Sequence, residues 1–189
     1  DSVILNQNSG ETRLRIGDRK IDVNIDLKSL ILQNNIPTAS IVFRNVLDHR
    51  LLPDWFAKIT KADYGLCVLL AEKGPGKFLP GAMSVYRVHD GGAWSGNGFE
   101  FTHTANLRFY KYLLEYFKDN EIRRAIRAKM QLSKFNYGIA KLRIGHLFEG
   151  LFLALRNLRL TGDRRVRTSL RKVASAIKSW LKAKFSAST

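Results

Sequence analysis

The run Tyr64–Ala71, YGLCVLLA, contains no charged residue, and only its glycine lacks an apolar side chain. Asp63 stands immediately before it, and Glu72, Lys73 and Gly74 follow. An acid in the first turn, an apolar body and a glycine stop is the order of an α-helix. A helix that is apolar all round cannot lie on a surface; it needs neighbours on every side. The first half of the chain is therefore expected to enclose this helix in a packed core. Cys67 lies inside the run and is expected to be core rather than a reactive thiol, which needs partly exposed, electropositive surroundings. It is the only cysteine, so no internal disulfide can form, and a reducing, cytoplasmic setting is the simplest reading.

Charge divides the 189 residues into two unlike halves. Residues 1–100 hold 12 Lys/Arg against 11 Asp/Glu, and residues 101–189 hold 20 against 5. Nearly all of the net +16 thus sits in the second half, which should favour a polyanion such as an acidic membrane surface or a nucleic acid. No span is expected. The longest unbroken apolar stretch of the second helical region is Leu151–Leu155, far short of the roughly 20 residues a bilayer requires.

The first hundred residues alternate strand and helix signals. SVIL is a candidate strand followed by a turn at NQNSGE, and DLKSLILQNN (26–35) reads as a short helix or an apolar strand, with the helix preferred. SIVFR, after Pro37, reads as a strand. LPDWF carries a helix-start signal. GKFLPGAMSVYRVH reads as a strand broken at Pro80-Gly81, and 90–98 as a glycine-rich loop. From Phe101 the chain turns helical. Leu107, Tyr110, Leu113, Leu114 and Phe117 share one face, and a second helical region is expected to be interrupted at Gly138, Gly145 and Gly150. In 164–185, Val166, Leu170, Val173, Ile177 and Trp180 recur at four, three, four and three residues, and Arg and Lys fill much of the rest. Such a basic amphipathic helix, with Trp180 and Phe185, either lies on an anionic membrane or docks its apolar stripe on the protein.

Taken singly, the polar residues of the first half have ordinary readings. Asp63 is a helix cap, His89 and Arg87 are loop and surface residues, and Trp94 closes a hydrophobic lid. The four histidines (49, 89, 103 and 146) form no local cluster, and no nucleophile triad, zinc spacing or phosphate loop is present. Taken in order, NNIPTASIVFRN, LPDWF, KADYGLCVLLAEKG and FLPGAMSVYRVHDGGAWSG resemble the carboxy-terminal half of a family-two, GT-A type glycosyltransferase. The resemblance covers about residues 34–96.

It implies an α/β fold: the acceptor-side part of a GT-A domain over 1–100, followed by an all-helical, basic region over 101–189. It implies an inverting transfer from a nucleotide-sugar donor to a glycan or lipid-linked acceptor, in cell-surface polysaccharide synthesis. Asp63 takes the place of the catalytic base. Arg87, His89, Gly91 and Gly92 take the diphosphate edge, and His89 also takes a metal-contacting position. The expected cofactor is divalent; imidazole suits Mn²⁺ better than Mg²⁺. Thr38, Ala39 and Ser40 line the acceptor side, and Trp94 stacks on a sugar or closes the cleft. The family's Asp-X-Asp motif has no counterpart, and the acids of Asp22–Asp26 stand at the wrong spacing. Because the chain starts at Asp1, the donor-binding half is expected upstream, and these residues alone are expected to be inactive. The tail at 164–185 would hold the enzyme peripherally at the inner membrane face. The alternative is a non-enzymatic basic module that binds a membrane surface or, less in keeping with the near-neutral first half, nucleic acid. A third reading is a degenerate piece with a structural or partner-binding role.

Overall fold

A computed structural model describes residues 1–15, 24–34, 36–48, 52–91, 97–158, 168 and 170–179. Helices and two small sheets make it an α/β chain in the broad sense. Two compact units form, one of Asp1–Gly98 with Lys111–Ile126 and the other of Phe99–Tyr110 with Arg127–Thr189. Residues 111–126, basic-half residues by charge count, thus pack with the near-neutral half.

In the first unit, β1 (Val3–Asn6) is the central strand of three. Its antiparallel neighbour β2 (Thr12–Leu14) follows a turn in which the Asn6 side chain accepts from the Asn8 and Ser9 amides, and Gly10 takes φ +73°. Self-bonding Asn and a left-handed Gly are what such a turn requires. On the other side lies β5 (Val85–Val88), parallel to β1 and in register from Val3↔Val85 to Asn6↔Val88. A parallel pair needs a long crossover. Here the crossover carries β3 (Asn24–Ile25), α1 (Leu27–Leu32), α2 (Ala62–Lys73) and β4 (Gly76–Lys77). β3 and β4 form a separate antiparallel ladder, so the two ends of the interrupted strand 76–88 serve different sheets.

α2 is largely enclosed, as its composition demands. Tyr64, Gly65, Cys67, Val68 and Leu69 are all buried. α1 is too short to satisfy its own last carbonyls, which have no partner within the helix. The buried Tyr64 hydroxyl donates to them, to Leu30 O at 3.0 Å and Ile31 O at 3.3 Å. At Gly65 a Cβ would stand 2.6 Å from Ile59 Cδ1 and 3.4 Å from the Trp55 ring, so the glycine lets the LPDWF segment lie against α2. That segment forms a 3-10 turn over Phe56–Lys58. SIVFR forms no strand. Thr38–Ser40 is a 3-10 turn, and residues 41–44 belong to no ladder. Val42 is 96% exposed; β-branched residues favour a strand only where neighbours bury them.

The second unit is helical. It contains parts of α3 (Phe99–Tyr116) and α4 (Asn120–Arg143), all of α5 (Leu147–Arg156), and α6, a helix over 170–179. Of the three expected glycine interruptions only one occurs, at Gly145 with φ +101° between α4 and α5. Gly138 and Gly150 sit inside helices because the helices touch there. A Cβ on Gly138 would meet the Ala154 amide nitrogen at 2.5 Å, and one on Gly150 the Leu142 amide nitrogen at 2.6 Å. Around this crossing Phe135, Ile139, Leu142 and Ala154 form a core with Val173 and Ala176 of α6, and Ile177 packs against it. Part of the apolar stripe of 164–185 therefore faces protein, with Arg171, Lys172 and Lys178 exposed behind it. Val166, Trp180 and Phe185 lie outside the described residues.

Two substitutions test these contacts. Tyr64→Phe should cost about 1–3 kcal/mol in chemical denaturation by leaving the α1 carbonyls unmet; wild-type stability would remove the hydroxyl from that role. Gly138→Ala should lower the melting temperature, because overpacking two backbones costs about 1–3 kcal/mol and outweighs the gain of about 1 kcal/mol in helix propensity. A raised melting temperature would show that the crossing tolerates a methyl group.

Candidate active site

Asp63 is the second residue of α2, half-buried at the helix start. Lys61, before the helix, offers no side-chain cap, so the first turn is polarised by Asp63, an acid at the positive end of the helix. The Thr38 hydroxyl donates to Asp63 Oδ2 at 2.5 Å. Two residues to which the resemblance gives roles, 25 positions apart, are thus in direct contact. Thr38 is exposed and Asp63 half-buried, so their contact lies at the surface. Ser40 is positioned otherwise. Its hydroxyl donates to Pro37 O at 2.9 Å and closes its own turn.

The Arg87–Gly91 segment is organised by the sheet. Arg87 opposes Leu5 in the β1–β5 ladder and is exposed. The Val88 carbonyl accepts from the Gln7 amide at 2.9 Å. Asp90 accepts from Asn8 Nδ2 at 3.1 and 3.2 Å, tying the loop to the β1–β2 turn. His89 is half-buried, and its Nδ1 lies 3.5 Å from where a Gly91 Cβ would be. That is ordinary van der Waals distance, so a side chain at 91 would fit beside the imidazole. Gly92 and Trp94 lie outside the described residues. Among the described residues no group of three or more His, Cys, Asp or Glu is placed to hold a metal ion. His89 and Asp90, the latter engaged by Asn8, have no third ligand beside them among the described residues and do not by themselves make a divalent-cation site.

A cavity lies elsewhere in the first unit, away from Thr38 and Asp63. It measures about 320 Å³ and is lined by Pro53, Asp54, Trp55 and Lys58 of the LPDWFAK segment and by Tyr112, Glu115 and Tyr116 of α3. Trp55 and Tyr116 meet edge to face, and the Tyr116 hydroxyl donates to Glu72 at 2.9 Å. Two carboxylates beside aromatic rings suit a polyhydroxylated ligand. The α3 contribution comes from more than fifty residues downstream of Asp54, and helical periodicity gives no sign of it.

Among the described residues of the second unit, Lys141 is a buried ammonium. Lys141 Nζ lies 2.6 Å from a Glu100 oxygen and 3.5 Å from Glu149. The Tyr137 hydroxyl donates to Glu100 at 3.2 Å. The Glu100 carboxylate holds Lys141 protonated above the ordinary lysine range, and Lys141 in turn holds Glu100 below the usual carboxylate range. The His103 ring stacks on Tyr137 with centroids 3.9 Å apart, and burial lowers its pKa. This network joins α3, α4 and α5 and is a satisfied structural cluster.

No family model, curated protein or solved structure matches this chain. No helix among the described residues is long and apolar enough to cross a membrane.

Cys67 is buried, and burial followed by the nearby Asp63 charge pushes its thiol up to about 11. At pH 8 the native protein should react with a thiol reagent roughly a hundredfold more slowly than the denatured chain. Native labelling at the free-thiol rate would overturn the reading of Cys67 as core.

Proposed function

We propose that the first unit is the acceptor-side, catalytic-base part of an inverting GT-A type glycosyltransferase, acting with a nucleotide-sugar donor on a glycan or lipid-linked acceptor. The contact between Thr38 and Asp63 carries this reading. It joins the residue that the resemblance assigns to the base with one that it assigns to the acceptor side. With Oδ2 engaged by Thr38, Oδ1 accepts the proton of the acceptor hydroxyl. That oxygen attacks the anomeric carbon, the bond from this carbon to the diphosphate oxygen breaks, and the diphosphate departs with the electron pair. Attack from the face opposite the leaving group inverts the configuration.

Arg87 offers the departing diphosphate a cation, and the Gly91 segment offers backbone N–H groups close by. His89 acts as a positioning residue packed on that glycine. Gly92 and Trp94 keep the diphosphate and sugar-stacking roles given by the resemblance, and a divalent metal belongs with the donor-binding part of such an enzyme. The Asp54–Glu115 cavity extends the acceptor side, because the segment that forms it rests on the helix bearing Asp63. Acceptors of this kind lie at the cytoplasmic face of a membrane, where the basic second half of the chain is favoured.

The test uses a protein that carries both the donor-binding part and this chain. Asp63→Asn should reduce turnover at least about a hundredfold with donor binding retained. Thr38→Val should reduce it by about tenfold or less, because it loosens the base without removing it. Wild-type turnover in Asp63→Asn rejects the assignment.

A further inference from the structure

The outward face of α5 is apolar. Ile144, just before the helix, is 54% exposed, Phe148 86%, Phe152 61% and Leu155 49%. Phe148, Phe152 and Leu155, spaced four and three residues apart, share one side of α5, and Ile144 stands before the Gly145 turn. The opposite side is fixed. Gly150 and Ala154 are buried against α4, and Leu147 and Leu151 pack on the same core. The stripe therefore cannot turn inward without breaking the crossing. Two adjoining phenylalanine rings with this exposure are unusual on a soluble surface and mark an interaction site.

The surroundings are cationic. Arg143 and Arg156 flank the stripe and are exposed, and the Arg156 guanidinium stands 5.7 Å over the Phe152 ring. Glu149 is the only carboxylate on α5, and it is engaged by Lys141 at 3.5 Å and lies 3.8 Å from His146. Residues 101–189 hold 20 Lys/Arg against 5 Asp/Glu. An apolar stripe rimmed by cations and lacking free anions is complementary to an anionic lipid surface. At about 15 Å long, α5 is too short to span a bilayer but long enough to lie in its interface.

We infer that the Phe148–Leu155 face of α5 docks on anionic membranes, with Phe148 and Phe152 entering the boundary between headgroups and acyl chains. The inserting surface is thus α5, and the helix over 170–179, whose Val173 and Ala176 are taken up by the core, contributes charge. This inference stands apart from the transferase reading and can fail or hold without it.

The measurement is co-sedimentation of the 189-residue chain with vesicles of phosphatidylcholine, alone or with about one third phosphatidylglycerol, across a salt series. Wild type should pellet with the anionic vesicles, less so as salt rises, and remain in solution with phosphatidylcholine alone. The double variant Phe148→Ser/Phe152→Ser should bind anionic vesicles at least about tenfold more weakly while keeping its circular dichroism and melting temperature. Phe152→Trp should show a blue-shifted emission increment on vesicle addition. Wild-type binding by a folded double variant overturns the inference. So does an absence of wild-type binding, or self-association without vesicles that the double variant abolishes, which would make a second copy the occupant.

Discussion

Enclosing most of α2, whose Leu66 and Leu70 side stays half-buried, is the constraint that organises the first unit. A helix without a polar face gains from burial at every turn, at roughly 25 cal/mol per Å² of apolar surface removed from water, but only if its neighbours can approach. Two local devices make that possible. Tyr64 buries its ring and spends its hydroxyl on the carbonyls at the end of α1, so α1 can sit against α2 with its polar end satisfied. Gly65 withholds a side chain where the Trp55 segment crosses. The candidate base Asp63 is carried at the start of this same helix, so its placement is inherited from the core and not from a mobile loop.

Much of this was legible in the sequence, for identifiable reasons. The helix at 62–73 announced itself by an acid, an apolar body and a glycine, and all three act locally. The strands at 3–6 and 85–88 were marked by β-branched composition, while the Asp26 side chain that caps α1, accepting from the Ser29 amide at 2.7 Å, became visible only in the folded chain. What failed were inferences that depend on partners. SIVFR has the composition of a strand but no neighbouring ladder. Gly138 and Gly150 looked like breaks because a glycine in a helix is costly in isolation; the cost is offset by an approach of two backbones that no single segment reveals. Of the site, Asp63 and Thr38 were legible as residues, and their contact was not. The cavity beside Trp55 was not legible at all, since half of its lining arrives from α3.

The basic half shows that charge alone does not assign a surface. The sequence put the amphipathic signal at 164–185, where apolar residues recur most regularly. Regularity of that kind serves a protein core as readily as a membrane, and Val173 and Ala176 are core. α5 carries apolar residues on nearly every side, with one side consumed by the glycine crossing and the other left outward. Burial, which only the folded chain fixes, separates the two.

The parallel pairing of β1 with β5 has a consequence for how the protein forms. Val3 waits for Val85, so during synthesis the first strand emerges long before its partner and holds only the short ladder to β2. Loop-closure entropy must be overcome before the parallel ladder contributes. Until then β1 presents an unpaired edge. The α1–α2 pair, held by contacts closer in sequence, has the means to form first and bring the two strand ends together. Assembly of the sheet is therefore a late, slow event, and the interval before it is when the nascent chain is most exposed to intermolecular pairing.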